Sequence, residues 1–204
     1  MTADLSPDRP TDFAQTLDQA VQIFRTGQGS RPGAVAMVEA LLQAETTAKR
    51  DHITYPFSAL EGQWRLCFTT GVQKRKGGGV RLTRGFYMPG FTPAYISFYP
   101  EGETLLGEIR NQISLAGLSL TLTGPCRYPG KKNLLVFDFT QMEIRVGDRS
   151  LYQGGIRGGS TKAQEFAQKP VAKLPFFAFF RITEDYIAAR GRGGGLAVWV
   201  RAQA

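Results

Sequence analysis

The sequence predicts a mainly β chain, an antiparallel barrel of about eight to ten strands preceded by two α-helices. Three observations predict it. A helical repeat of apolar residues runs from about Phe13 to Arg50 and stops before Phe57. From Phe57 onward the texture changes to short alternating runs separated by glycine and proline. That β region opens on a strand, Leu60-Glu61-Gly62-Gln63-Trp64-Arg65-Leu66-Cys67-Phe68, and finishes on another, Leu196-Ala197-Val198-Trp199-Val200. A run that begins and finishes this way can close on itself, and closure removes the edges that would otherwise recruit other chains.

Residues 1 to 10 carry two prolines and no periodicity, and read as a mobile tail. Residues 11 to 56 form a helical prefix. Phe13, Leu17, Val21 and Phe24 fall on one face of a 3.6-residue repeat, with Thr11 or Asp12 as N-cap and Gly27 placed to end the helix. A second helix is expected from about Arg31 to Arg50, with Pro32 in its first turn and Val35, Val38, Leu41 and Leu42 on its stripe.

Residues 57 to 204 form the barrel. In its first strand Trp64, Leu66 and Phe68 alternate with polar neighbours, the period-2 signature of one buried face. The expected strands are 62–70, 80–88, 94–99, 105–115, 118–123, 133–146, 150–156, 176–182, 185–190 and 195–201. Tight connections at Pro100-Glu101-Gly102, Ala116-Gly117 and Tyr128-Pro129-Gly130 imply a meander. One insertion, about 154–175, interrupts it, with a short helix capped by Ser160 or Thr161 and ended before Pro170.

The 204-residue chain carries a net charge of +8. Residues 1 to 50 hold five basic and six acidic side chains, so the positive surface belongs to the β region. Its densest part is Lys74, Arg75, Lys76, Arg81 and Arg84, around Gly77-Gly78-Gly79. A solvated hairpin and an anionic-surface contact are both open for it. The longest aromatic run, Phe176-Phe177-Ala178-Phe179-Phe180, falls far short of the roughly 20 apolar residues of a membrane-spanning helix. The first residues lack the apolar core of a secretory signal, so the chain is expected to stay in the cytoplasm. Two cysteines, Cys67 and Cys126, lack metal-ligand spacing and read as packing residues.

Catalytic parts are scarce. The one histidine, His52, lies in the link between helices and barrel, where capping or surface roles are commoner than general-base chemistry. No metal-binding, nucleotide or dinucleotide motif occurs, so no catalytic residue, metal site or required cofactor is assigned. Glu184 and Asp185 are adjacent and make a poor acid/base pair. The apolar surplus on strand faces is expected to be mostly core, with room for a hydrophobic guest lined by Trp64, Leu66, Phe68, Phe86, Phe98, Ile109, Asn111, Ile113, Leu120, Phe137 and Phe139. Asn111 interrupts the face shared by Ile109 and Ile113 and would need a partner in backbone or ligand. Phe91, in an aromatic loop that follows the basic stretch, is expected to meet a headgroup layer while Lys74, Arg75, Lys76 and Arg81 face anionic lipid.

The opening Leu60-x-Gly62-x-Trp64-x-Leu66-x-Phe68-Thr69-Thr70, the helical prefix, and the closing Asp185-x-Ile187-x-x-Arg190-Gly191 resemble the plastid-lipid-associated proteins, or fibrillins, of plastids and cyanobacteria. The resemblance covers roughly residues 13 to 201. It implies a lipocalin-like barrel associated peripherally with thylakoid membranes, with roles in binding isoprenoid quinones, carotenoids or other lipids and in photoprotection. The insertion and the bare N-terminus point to a cyanobacterial-type member. The Gly62-x-Trp64 pair also resembles the lipocalin signature, in which an arginine packs over the tryptophan as a structural plug; Arg190 is the candidate and Arg201 the reserve. A bilin chromophore lyase on the same architecture is the alternative function, favoured by arginines facing the cavity. Nucleic-acid binding through the basic face is the weaker alternative.

Overall fold

The computed structural model describes residues 12–74, 80–156, 166 and 169–203. The expected tail, the Arg75–Gly79 stretch and the expected helix after Ser160 lie outside them, apart from Phe166. Helices α1 (Asp12–Thr26) and α2 (Ala34–Arg50) are followed by β1 (Gly62–Thr69), β2 (Val72–Lys74), β3 (Val80–Leu82), β4 (Phe86–Tyr87), β5 (Ala94–Pro100), β6 (Leu106–Leu115) and β7 (Leu118–Arg127). Then come β8 (Leu134–Phe137), β9 (Gln141–Val146), β10 (Arg149–Gly155), β11 (Phe176–Ile182), β12 (Tyr186–Gly191) and β13 (Leu196–Arg201).

Eight of these strands close a barrel. β1, β5, β6, β7, β8, β11, β12 and β13 neighbour one another in chain order, all antiparallel, and β13 returns to β1. This is the expected meander. Two excursions leave the wall: the β2–β3 hairpin leading to β4 on the edge of β1, and β9–β10, which extend the sheet from the N-terminal half of β7.

The expected strand 80–88 is therefore two, β3 and β4, and the expected strand 133–146 breaks into β8 and β9. β7 explains the second break. Its C-terminal end pairs with β8 through Cys126–Phe137, whereas Thr123 to Leu118 pair with β9. The chain crosses between the two at Asp138–Thr140, where the Asp138 and Thr140 amides donate to Pro125 and Thr123. Gly124 makes room for this crossing, since a Cβ there would stand 1.9 Å from the Asp138 carbonyl oxygen.

The helices cover part of the outer wall. Leu17, Val21, Met37 and Leu41 pack against Tyr186, Ala188, Val198 and Val200, so β12 and β13 are buried on both faces. Gly27 ends α1 as expected, at φ +68 with its amide bonded to Ile23. α2 differs from expectation. It begins at Ala34, after Pro32, and Val35 and Leu42 are exposed. Its buried stripe is Met37, Ala40, Leu41, Ala44, Glu45 and Ala48, in which the large Met37 and Leu41 alternate with three alanines.

Two bulges set which side chains face inward. In β1 the register slips between Leu66 and Phe68, and in β11 between Phe179 and Arg181. One extra residue reverses the alternation beyond it. Leu66 therefore packs with the interior cluster, while Cys67 and Phe68 belong to the layer under the helices.

Candidate functional site

The barrel has one sealed end. Trp64 is fully buried there, its indole N–H donates to the Leu60 carbonyl at 2.8 Å, and the stacked rings of Phe57 and Tyr128 lie beside it. The Arg201 guanidinium lies 3.9 Å from the centre of the Trp64 ring. Its Nε donates to the Glu184 carbonyl at 2.6 Å and an Nη to the Glu61 carbonyl at 3.0 Å, which fixes the plane of the group. The expected plug is thus made with Arg201, and the assignment of Arg190 is corrected. Arg190 points outward beneath α2, where Glu45 receives it through both carboxylate oxygens, 2.8 Å from Nε.

Above this plug the interior is filled by rings. Phe98 meets Phe179 edge-on at 5.9 Å, Phe177 meets Trp199 at 5.5 Å, and Phe137 lies 5.1 Å from both Phe177 and Phe139. Trp64, Phe98 and Ile109, expected to line a cavity, are core-filling residues at this level.

The opposite end is different. The inward face of β6 and β7 pairs Ile109 with Gly124, Asn111 with Leu122, Ile113 with Leu120, and Leu115 with Leu118. β9 continues it with Met142 and Ile144 opposite Leu122 and Leu120. These strands run past the closed wall as an apron, and their apolar face loses its cover: Ile113 is 41% exposed and Leu118 47%. The other face of the same strands presents Arg110, Gln112, Ser119, Thr121, Glu143 and Arg145. A sheet polar on one face and apolar on the other, with the apolar face uncovered, is built to be covered by something else.

Of the expected lining, Leu66, Asn111, Ile113, Leu120, Phe137 and Phe139 surround this mouth or its apron. Asn111 has no side-chain hydrogen-bond partner among the described residues, so its amide offers the apolar face one polar handle. Two expected lining residues are elsewhere. The β1 bulge turns Phe68 onto the helix side, where it meets Tyr87 edge-on at 5.1 Å. Phe86 is 53% exposed on the short edge strand β4, which takes over the edge of β1 where β5 diverges. Reading by alternation missed Leu115, Leu118, Met142 and Ile144; their period-2 spacing was visible, but not that their face lies beyond the barrel.

The β2–β3 strand pair and the aromatic loop lie at the mouth end, following and flanking the end of β1. Arg81 and Arg84 are exposed and Phe91 is 75% exposed. Lys74 is in β2, while Arg75 and Lys76 fall outside the described residues. No helix among the described residues is long and apolar enough to cross a membrane.

Burial pushes both thiols, Cys67 and Cys126, up to about 12, the mark of inert packing cysteines. Among the described residues no group of three His, Cys, Asp or Glu is placed to hold a metal ion. No protein-family model, curated protein or solved structure matches this chain.

Proposed function

We propose that this protein is a non-catalytic carrier or scaffold for a hydrophobic isoprenoid or lipid, such as a quinone or carotenoid, held peripherally at the cytoplasmic face of a photosynthetic membrane and serving photoprotection or membrane maintenance. The observation that carries this reading is the uncovered apolar face of β6, β7 and β9 at one end of a barrel whose other end is plugged by Trp64 and Arg201. Each ligand methylene buried against that face contributes about 0.8 kcal/mol. Asn111 adds a donor and an acceptor for a ring oxygen. The exposed Phe86 and Phe91 and the basic hairpin, at the same end, suit delivery to an anionic bilayer. The resemblance to the fibrillin family supports the same reading.

Bilin transfer would need cationic partners for propionates on the inward face. Arg110 and Arg145 alternate onto the opposite, polar face, which favours the carrier reading over the lyase.

The test is mass spectrometry of organic extracts of the protein purified from a photosynthetic host, paired with titration of tryptophan fluorescence by a prenylated benzoquinone. A co-purifying isoprenoid or lipid and saturable quenching are expected. Extracts free of lipid together with unsaturable quenching would overturn the reading.

A further inference from the structure

A second hollow, separate from the barrel mouth, lies on the outer wall between the C-terminal turn of α2, residues 52–54, the 132–134 turn and β11. Its volume is about 500 Å3, inside the roughly 300–1,000 Å3 range of small-molecule sites. Ile53, Leu134, Ala178 and Phe180 supply an apolar floor. Lys49, His52 and Lys132 stand around it.

The two turns that frame the hollow are held in an unusual way. His52, Lys132 and Asn133 all adopt left-handed backbone, at φ 51, 66 and 49. Such a conformation costs most at Lys132, since histidine and asparagine adopt it more readily, and it persists where surrounding structure enforces it, commonly at ligand sites. Asn133 provides the enforcement. Its buried side chain accepts from the Tyr55 amide at 2.9 Å and the Tyr128 hydroxyl at 3.2 Å, and donates to the Ile53 carbonyl at 2.7 Å. One amide thus clamps the helix-to-barrel link to the turn before β8 and keeps the hollow open.

Charge selects the occupant. Glu45 is the one carboxylate in the lining, and Arg190 and Lys49 already hold it, with Lys49 Nζ 2.9 Å from Oε1. Lys132 has no ion-pair partner among the described residues. The lining is therefore cationic, which calls for an anion. The same lining includes the carbonyl end of α2, whose partial negative charge opposes a dianion such as a phosphate monoester more strongly than a monoanion. We propose that this hollow binds a small amphipathic monocarboxylate, an aromatic or medium-chain acid, with its apolar body on Ile53, Leu134 and Phe180 and its carboxylate between Lys132 and His52.

The probe is 2-naphthylacetate, with 2-naphthylethanol as its uncharged counterpart, each titrated by calorimetry into the full chain. Saturable binding of the acid, tighter than the alcohol, is expected. Lys132→Asn and His52→Asn remove the cation or ring while keeping a residue that tolerates positive φ. Each should weaken the acid by about tenfold, the effect of one charge-assisted hydrogen bond, and leave the alcohol unchanged. An Ile113→Asp variant, aimed at the barrel mouth, should bind the acid as the parent does, so failure of this site and failure of the carrier reading are separable. Absence of saturable acid binding, equal affinity for the alcohol, or insensitivity to both Asn variants in folded protein would overturn the assignment.

Discussion

Arg201 stands directly across the β1–β13 ladder from Trp64, and its guanidinium lies over the indole at 3.9 Å while bonding the backbone carbonyls of Glu61 and Glu184. The pair closes the seam of the barrel and one of its ends at once. Trp64→Ala should lower stability by about 3–5 kcal/mol, as a large core truncation. Arg201→Lys keeps the charge but loses the guanidinium's contact over the ring and one of the two carbonyl contacts, for a loss of about 1–2 kcal/mol. Urea unfolding of both variants checks this, and a loss below about 1 kcal/mol for Trp64→Ala is incompatible with the plug.

Arg190 and Glu45 tie α2 to β12. Arg190→Ala should cost about 2–3 kcal/mol, below the roughly 3–5 kcal/mol of a fully buried pair because Arg190 retains some solvent contact. Burial alone would raise the Glu45 carboxyl, but hydrogen bonds from Arg190 and Lys49 outweigh it and hold the group below its ordinary value of 4.5. The unfolded chain therefore takes up this proton first on acidification. The stabilisation is complete above about pH 4.5 and is lost as pH falls through the lower, folded value. A urea-midpoint series against pH should show that drop, and Glu45→Gln should flatten it.

The thiols report on packing. With both pushed up to about 12, Cys67 and Cys126 should resist iodoacetamide in native protein at pH 8 and react promptly in denaturant. Rapid native labelling of either would contradict its burial.

Mouth and surface can be separated by substitution. Ile113→Asp lies on an exposed stretch, so it should leave the melting temperature nearly unchanged while removing saturable quenching by prenylated benzoquinone. Retained quenching would remove the apron from the binding account.

Adhesion to anionic vesicles should fall when Lys74, Arg75 and Lys76 are replaced by glutamine, by about 1 kcal/mol for each charge near the bilayer. Phe91→Ser should weaken it further. A flotation assay across salt concentrations measures both, and unaltered flotation would leave the hairpin as a solvated loop.

The strands of the barrel were legible as short apolar runs punctuated by glycine, proline and turn residues. Strand 176–182 follows from its short aromatic run, strand 196–201 from its alternation, and the helix stop at Gly27 from backbone freedom. Inward and outward assignment failed for Phe68 because a bulge adds one residue without any glycine or proline to announce it. Phe86 was read as lining because nothing local distinguishes an edge strand from a wall strand. Arg190 and Arg201 are both basic residues near the end of the chain, and choosing between them required the register that places Arg201 opposite Trp64. In α2 the inward face is Met37, Ala40, Leu41, Ala44 and Ala48, so three alanines belong to the buried stripe while the larger Val35 and Leu42 fall outside it.

The β1–β13 junction joins distant positions such as Thr69 and Leu196, 127 residues apart along the chain. A ribosome finishes β1 long before β13 exists, so the nascent polypeptide must hold Trp64 and its neighbours without their final partner throughout that interval. Long-range closure of this kind is slow, and its transient edge is a natural client surface for chaperones that shield unpaired strands during translation.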